Sequence, residues 1–250
     1  MRPLTATDVL RIWELAERQG QVDRALTILA AACSDLTREQ LADLSIGQRD
    51  RRLFMLRKWL FGPKLDSFVD CSECGERLEF SFDMAAIQGD GVFNSDTAKS
   101  KAEPDILSCD GLELCFRLPN SRDLIAATAC AGPRQARQLL VERCLLNVSR
   151  QDNAIAVNEL PEAVLEKVAF HLAQCDPLQE VLVDLVCPAC QHQWRVLFDI
   201  VTFFWAEIEA QAKRLLREVH VLARAYGWRE ADILSISARR RQSYLDMVGT

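Results

Sequence analysis

Apolar positions recur at helical spacing through the first 62 residues and again through the last fifty. Between these stretches they fall in short alternating runs. The period predicts helices over 8–19, with Asp8 as its cap and Gly20 as its stop, over 22–33, and over 47–61, ended by Gly62-Pro63. Thr37-Arg38-Glu39-Gln40 reads as a capping box that opens a short helix through Leu44. Strands are expected over 65–69, 78–82, 112–118, 181–186 and 194–200. Helices over 121–130 (capped by Ser121), 133–146 and 161–175 come between them. Residues 88–105 read as a loop, and 148–159 as loop with a short strand. Near the C-terminus Val201, Trp205, Ile208, Ala212, Leu215, Val219, Leu222 and Tyr226 keep a four-three spacing, one face of a helix that ends at Gly227. Short helices over 230–235 and 237–248 follow. The expected fold class is α+β, in three regions: helical 1–64, mixed 65–200 and helical 201–250.

The middle region carries the chemistry. Cys71-Ser72-Glu73-Cys74 and Cys187-Pro188-Ala189-Cys190 each lie between two strand-like runs. This is the layout of a zinc knuckle, a tight turn presenting two thiolates. Two knuckles make one closed four-thiolate site, so one structural Zn2+ per chain is expected on Cys71, Cys74, Cys187 and Cys190. A redox-active pair is the competing reading, but neither pair opens a helix that would lower a thiol's pKa. Unligated or separately ligated pairs are a third. His192 is within reach as a ligand, and is a bystander if four thiolates are available. Setting Cys71 on Cys187 also aligns Cys74 with Cys190, Phe82 with Phe198 and Asp83 with Asp199, a weak internal repeat. The remaining six cysteines sit mostly in apolar patterns and read as buried free thiols.

Charge narrows the function. Residues 71–200 hold 11 basic and 20 acidic side chains, whereas both flanks are close to neutral. An acidic middle argues against a binder of phosphate backbones. Arg49, Arg51, Arg52, Arg57 and Lys58 crowd one predicted helix, and read as a solvated or protein-contact face rather than a nucleic-acid face. Arg239, Arg240 and Arg241 open another, where they oppose the helix dipole and call for an acidic partner in the chain or outside it. The four-three stripe is either core packing or a seam for a partner helix. On the second reading Trp205, Ile208, Leu215, Val219, Leu222, Tyr226 and Arg239, Arg240 and Arg241 form the partner-binding set. No secretory signal is visible, and the uncharged apolar stretches are about half the length that spans a bilayer, so a protein of the reducing cytoplasm is expected. The three histidines are isolated and no catalytic motif occurs. Asp83 and Asp199 read as turn or cap residues rather than an acid/base pair. No enzyme is expected.

Several segments in order carry a resemblance. Ile46-Gly47-Gln48-Arg49-Asp50 leads through Leu53, Leu56-Arg57 and Phe61-Gly62-Pro63 to the first knuckle. Arg117-Leu118-Pro119-Asn120-Ser121-Arg122-Asp123-Leu124 follows. Glu218-Val219-His220, Tyr226-Gly227-Trp228, Ile233-Leu234 and Arg240-Arg241 before Tyr244-Leu245 close the chain. Together these resemble the baseplate-hub assembly proteins of contractile phage tails and related contractile injection systems. The resemblance implies a non-enzymatic assembly chaperone or minor structural part of the baseplate hub. Its partners would be hub or spike proteins, with self-association as a further option, and it would act in the bacterial cytoplasm during assembly or remain in the tail particle. The alternative from a different class is a zinc-ribbon nucleic-acid-binding regulator.

Overall fold

A computed structural model describes residues 1–83, 104–150 and 153–249. The expected loop over 88–105 lies outside the described residues as far as position 103. The fold is α+β, and its backbone divides into two compact units, residues 1–37 with 200–250 and residues 38–199. The sequence-based boundary at 64/65 therefore differs from the one in the structure: residues 38–64 group with the middle region, and residues 1–37 with the C-terminal one.

The first unit is helical. It comprises α1 (Ala6–Ala16), α2 (Gln21–Ala32), and, after the second unit, α8 (Ile200–Tyr226), α9 (Glu230–Ser235) and α10 (Ala238–Val248). The apolar face of α8 packs against the other four helices. Val201, Phe204, Trp205, Ile208, Ala212, Leu215 and Leu222 are buried there, with Val9, Ile12, Leu26 and Leu29 among the buried residues of α1 and α2. Thr5, not Asp8, caps α1. Asp8 completes the capping box from the third helical position, accepting from the Thr5 backbone N–H at 2.8 Å. Arg2 also donates to Asp8 at 2.6 and 2.9 Å. Hydrogen bonding from Arg2 holds the Asp8 carboxyl at about 2, against its burial and with help from Thr5. A depressed folded-state pKa stabilises fully above the unfolded value near 3.8 and is lost as pH falls toward about 2. Arg2→Ala is therefore expected to lower stability by a constant amount at neutral pH. The unfolding curves of the variant and wild type should converge as acid titration approaches about pH 2.

The second unit mixes helices and small antiparallel sheets. Helices α3 (Arg38–Ala42) and α4 (Ile46–Phe61) lead into hairpin β1 (Lys64–Asp70) and β2 (Arg77–Asp83). A four-stranded sheet of β3 (Asp105–Cys109), β4 (Leu112–Phe116), β5 (Leu145–Arg150) and β6 (Asn153–Ala154) follows in that order. Helices α5 (Ser121–Thr128) and α6 (Pro133–Cys144) connect β4 to β5, and α7 (Glu162–Cys175) precedes hairpin β7 (Val181–Val186) and β8 (Gln193–Phe198). Alternation in β4 turns Leu112, Leu114 and Phe116 inward, where they share a core with Val141 and Cys144 of α6, Leu145 and Val148 of β5, and Val164, Val168 and Leu172 of α7. Residues 145 and 146, expected at a helix end, instead begin strand β5.

Two segments behind the resemblance meet in this unit. Ser45 and Asn120 form a backbone bridge, and the Ile46 N–H donates to the Pro119 carbonyl at 3.0 Å. Asn120, rather than Ser121, caps α5. Asp123, fully buried, accepts from Arg117 at 2.6 and 2.9 Å, from Arg143 at 2.8 Å and from the Asn120 N–H at 3.0 Å. Burial alone would raise this carboxyl. The two guanidinium groups and the N–H outweigh it and hold the pKa below the usual range. Ser45 caps α4, and Asp176 reaches its first turn from beyond α7, accepting from the Gly47 N–H at 2.8 Å.

Candidate metal centre

Both knuckles lie at hairpin turns, and their backbones match. The β1–β2 register pairs Asp70 with Arg77 and Leu65 with Phe82; the shift that carries Cys71 onto Cys187 carries these onto the observed pairs Val186 with Gln193 and Val181 with Phe198. The turns repeat the same hydrogen bonds. The Cys71 N–H donates to the Glu76 carbonyl at 2.8 Å and the Cys187 N–H to the His192 carbonyl at 2.9 Å. The Gly75 and Gln191 N–H groups donate to the Cys71 and Cys187 carbonyls, each at 2.9 Å. Gly75 has φ +73°, and Gln191 takes the same left-handed region at φ +60°. A side chain there costs on the order of 1 kcal/mol. Gln191→Gly is accordingly expected to raise the melting temperature slightly, and Gly75→Ala to lower it, in thermal unfolding of otherwise identical chains.

The hairpins place the four sulfurs together. Cys71 Sγ lies 3.7 Å from Cys190 Sγ, Cys74 Sγ lies 3.5 Å from Cys187 Sγ, and all four are within 4.8 Å of one another. A tetrahedral zinc with bonds near 2.3 Å needs sulfurs about 3.8 Å apart, which matches the spacing. Cys71 and Cys187 are buried with Leu78, flanked by Val69 and Trp194, whereas Cys74 and Cys190 are exposed. The burial is thus also pseudo-symmetric: the first thiol of each turn faces the small apolar core and the second faces outward.

Local backbone dipoles separate the thiols. The Cys190 and Ala189 N–H groups bring Cys187 down to about 7 against its burial, and the Cys74 and Glu73 N–H groups likewise lower Cys71. The outer thiols go the other way. Although the Glu76 N–H favours the thiolate at Cys74, its crowding by Cys187, Cys190 and Cys71 pushes it up to about 12. Cys190 is raised too: the His192 N–H lowers it, but burial and the neighbouring sulfurs prevail. Four thiols this close cannot all ionise alone. A divalent cation would hold all four as thiolates, and an all-sulfur set suits zinc rather than a hard cation such as magnesium. Each Cys pair is followed by a strand, β2 or β8, so no helix N-terminus activates it as a redox pair. His192 stacks on Trp194 at 5.5 Å and stays outside the cluster. Among the described residues this is the one group of three or more His, Cys, Asp or Glu side chains close enough to share a metal. The reading of Asp83 and Asp199 as turn or cap residues involves a side chain, Asp83, outside the described residues.

The other six cysteines are free thiols. Cys33 and Cys144 are buried, Cys109, Cys115 and Cys130 half-buried, and Cys175 exposed. Burial pushes Cys144 up to about 12, which keeps it protonated and unreactive.

Most of the expected partner-binding set lies in the core. Trp205, Ile208, Leu215 and Leu222 are buried and Val219 is half-buried, so the four-three stripe is a seam within the first unit rather than a free surface. Arg241 is buried and donates to Glu218 at 2.8 Å, and Arg214 donates to the same carboxylate at 2.9 Å. Glu218 is thus the acidic partner that the arginine-rich helix start requires. Tyr226, Arg239 and Arg240 remain exposed. Their neighbours, motif residues of the C-terminus, gather here: Tyr226 stacks on Trp228 at 4.7 Å, and Tyr244 meets Trp228 edge-on at 4.9 Å. That the chain's two tyrosines and a tryptophan flank two short helices was the available signal for this gathering.

Two of the five basic side chains of α4 are internal. Arg49 and Arg57 are buried; Arg49 pairs with Asp50 at 2.7 Å, and Arg57 donates to the Gly62 carbonyl at 2.7 Å. Among the described residues no helix is long and apolar enough to cross a membrane.

Comparison with known proteins gives one family. Residues 1–205 match a family model described as T4 bacteriophage base plate protein. No curated protein and no solved structure matches. The matched span holds both knuckles and the two segments that meet at Ser45 and Asn120. The C-terminal motifs from 218 onward lie beyond it.

Proposed function

The chain belongs to the T4 bacteriophage base plate protein family, and from that premise we propose that it is a non-enzymatic assembly chaperone or minor structural component of the baseplate hub. It works in a contractile phage tail or a related injection system by binding hub or spike proteins. One zinc on Cys71, Cys74, Cys187 and Cys190 is its internal clamp. The observation that carries this reading is the family match over residues 1–205.

The chemistry of the chain supports it. Three buried carboxylates are committed to the fold: Asp123 to Arg117 and Arg143, Asp176 to the first turn of α4, Glu218 to Arg214 and Arg241. The four-sulfur site is saturated by protein ligands and leaves no open position for substrate, as structural rather than catalytic zinc sites do. When bound, the metal supplies cross-linking, and the residues around it supply rigidity. The nucleic-acid reading loses two of the four α4 arginines that supported it, Arg49 and Arg57, which are buried.

Co-expression of the chain with the tube, hub and spike proteins of its tail cluster tests the proposal. At least one hub or spike protein is expected to co-purify, and no strongly salt-dependent DNA or RNA binding is expected. A chain that captures no tail protein, or that binds nucleic acid with a steep salt slope, would sink the reading.

A further inference from the structure

We infer that the aromatic–arginine face formed by exposed Tyr226, Arg239 and Arg240 with half-buried Trp228 and Tyr244 docks an acidic segment of a neighbouring baseplate protein. The inference rests on the function proposed above and names the surface that performs it.

Three observations carry it. First, the rings are preorganised. Gly227, at φ +68°, turns the chain sharply after α8 and returns Trp228 onto Tyr226, and Tyr244 from α10 closes the group at 5.7 Å from Tyr226. Stacked aromatics offer a large contact area that loses little side-chain entropy on binding. Second, Arg240 lies over the Tyr244 ring at 5.6 Å and donates to its hydroxyl at 3.2 Å. Arg239 and Arg240 are exposed, and among the described residues neither forms an ion pair. Arg241, the next residue, is the one that the fold uses, through Glu218. Neither guanidinium has a carboxylate partner among the described residues, and both sit at the start of α10, where the helix dipole adds to their positive potential. Tyr, Trp and Arg are the residue types that dominate binding hot spots. Third, the fold uses only one of the three consecutive arginines, Arg241 on Glu218, and leaves Arg239 and Arg240 exposed beside the rings.

Charge selects the occupant. The unpaired cations and the helix N-terminus call for carboxylates. A single-stranded nucleic acid would also supply anions, but it binds by stacking bases on open ring faces. Here Tyr226 and Trp228 stack on each other, 21° from parallel, so each gives one ring face to the other rather than to a base. An acidic protein segment with an apolar anchor fits the ring edges and the two arginines.

The test uses the full chain with Arg239→Glu and Arg240→Glu together, co-expressed with the hub and spike proteins, and with short single-stranded DNA as a second probe. Circular dichroism confirms folding, and Trp228→Ala replaces the charge reversal if α10 is disturbed. The expected result is at least about a tenfold loss of affinity for the protein that the wild type captures, with wild-type binding itself weakening as salt rises. If the wild type captures a tail protein and the variant captures it equally well, this inference fails and the proposed function stands. Salt-dependent DNA binding that is lost in the variant, with protein capture unchanged, also overturns it. If the wild type captures no tail protein, both fall.

Discussion

Stripping the metal from the wild-type chain, or replacing Cys71 and Cys187 with serine, is expected to melt the contact between the two hairpins and bring the second unit close to its unfolding limit. The magnitudes are comparable. A structural zinc contributes on the order of 10 kcal/mol of apparent binding energy at neutral pH, and a whole domain is stable by roughly 5–15 kcal/mol. Locally there is little to replace it. Around the four sulfurs the buried core consists of Cys71, Leu78 and Cys187, with Val69 and Trp194 packed alongside. Two-stranded hairpins are marginal by themselves. The loss should be uneven: the core of β4, β5, α6 and α7 shares no residue with the knuckles and should melt later. Thermal unfolding with and without chelator, and again after adding zinc back, measures this. A melting curve unmoved by chelation would show that the hairpins hold without a clamp.

Gly47→Ala is expected to destabilise the second unit by roughly 3 kcal/mol, combining overpacking with loss of a cap. Helix propensity points the other way, since alanine is better than glycine inside a helix by about 1 kcal/mol. Sterics decide the sign. A Cβ at position 47 would overlap the Asp176 carboxylate, whose oxygen accepts the Gly47 N–H at 2.8 Å. That carboxyl is buried, which raises its pKa against the N–H that holds it, so displacing it strains a buried carboxyl and leaves the Gly47 N–H unpaired. Asp176→Ala removes the obstacle. The double variant should then be no less stable than Asp176→Ala alone, as comparison of denaturant midpoints would reveal. If Gly47→Ala proves stabilising by itself, Asp176 does not lock α4.

The Cys-x-x-Cys pairs were readable because metal chemistry fixes both residue type and spacing, and the repeat between them extended to the hairpin register. The helices at both ends were readable from their period. The α8 stripe was legible as a stripe, but not as interior or surface: period tells which residues share a face, not what covers it. The start of β5 at residues 145–147 was missed because only Leu145 and Val148 turn inward, so alternation is broken, and the pairing with β4 carries an irregularity at Cys115/Phe116; residues 148–150 fall where a short strand was expected. Caps were displaced by a few residues: Thr5 for Asp8 and Asn120 for Ser121. In each case the acidic side chain at the third helical position was the box partner, not the cap. The Asp176–Gly47 contact spans most of the second unit, and nothing local in the chain announces it. The glycine was visible only as part of a motif, and its reason is a side chain 129 positions away.

The two cysteine pairs thus belong to the fold. Elemental analysis of the purified full chain tests this central claim most directly. About one zinc per chain is expected, falling to none when Cys71 and Cys187 are both serine. A wild-type chain that is folded, stable and free of metal would contradict it.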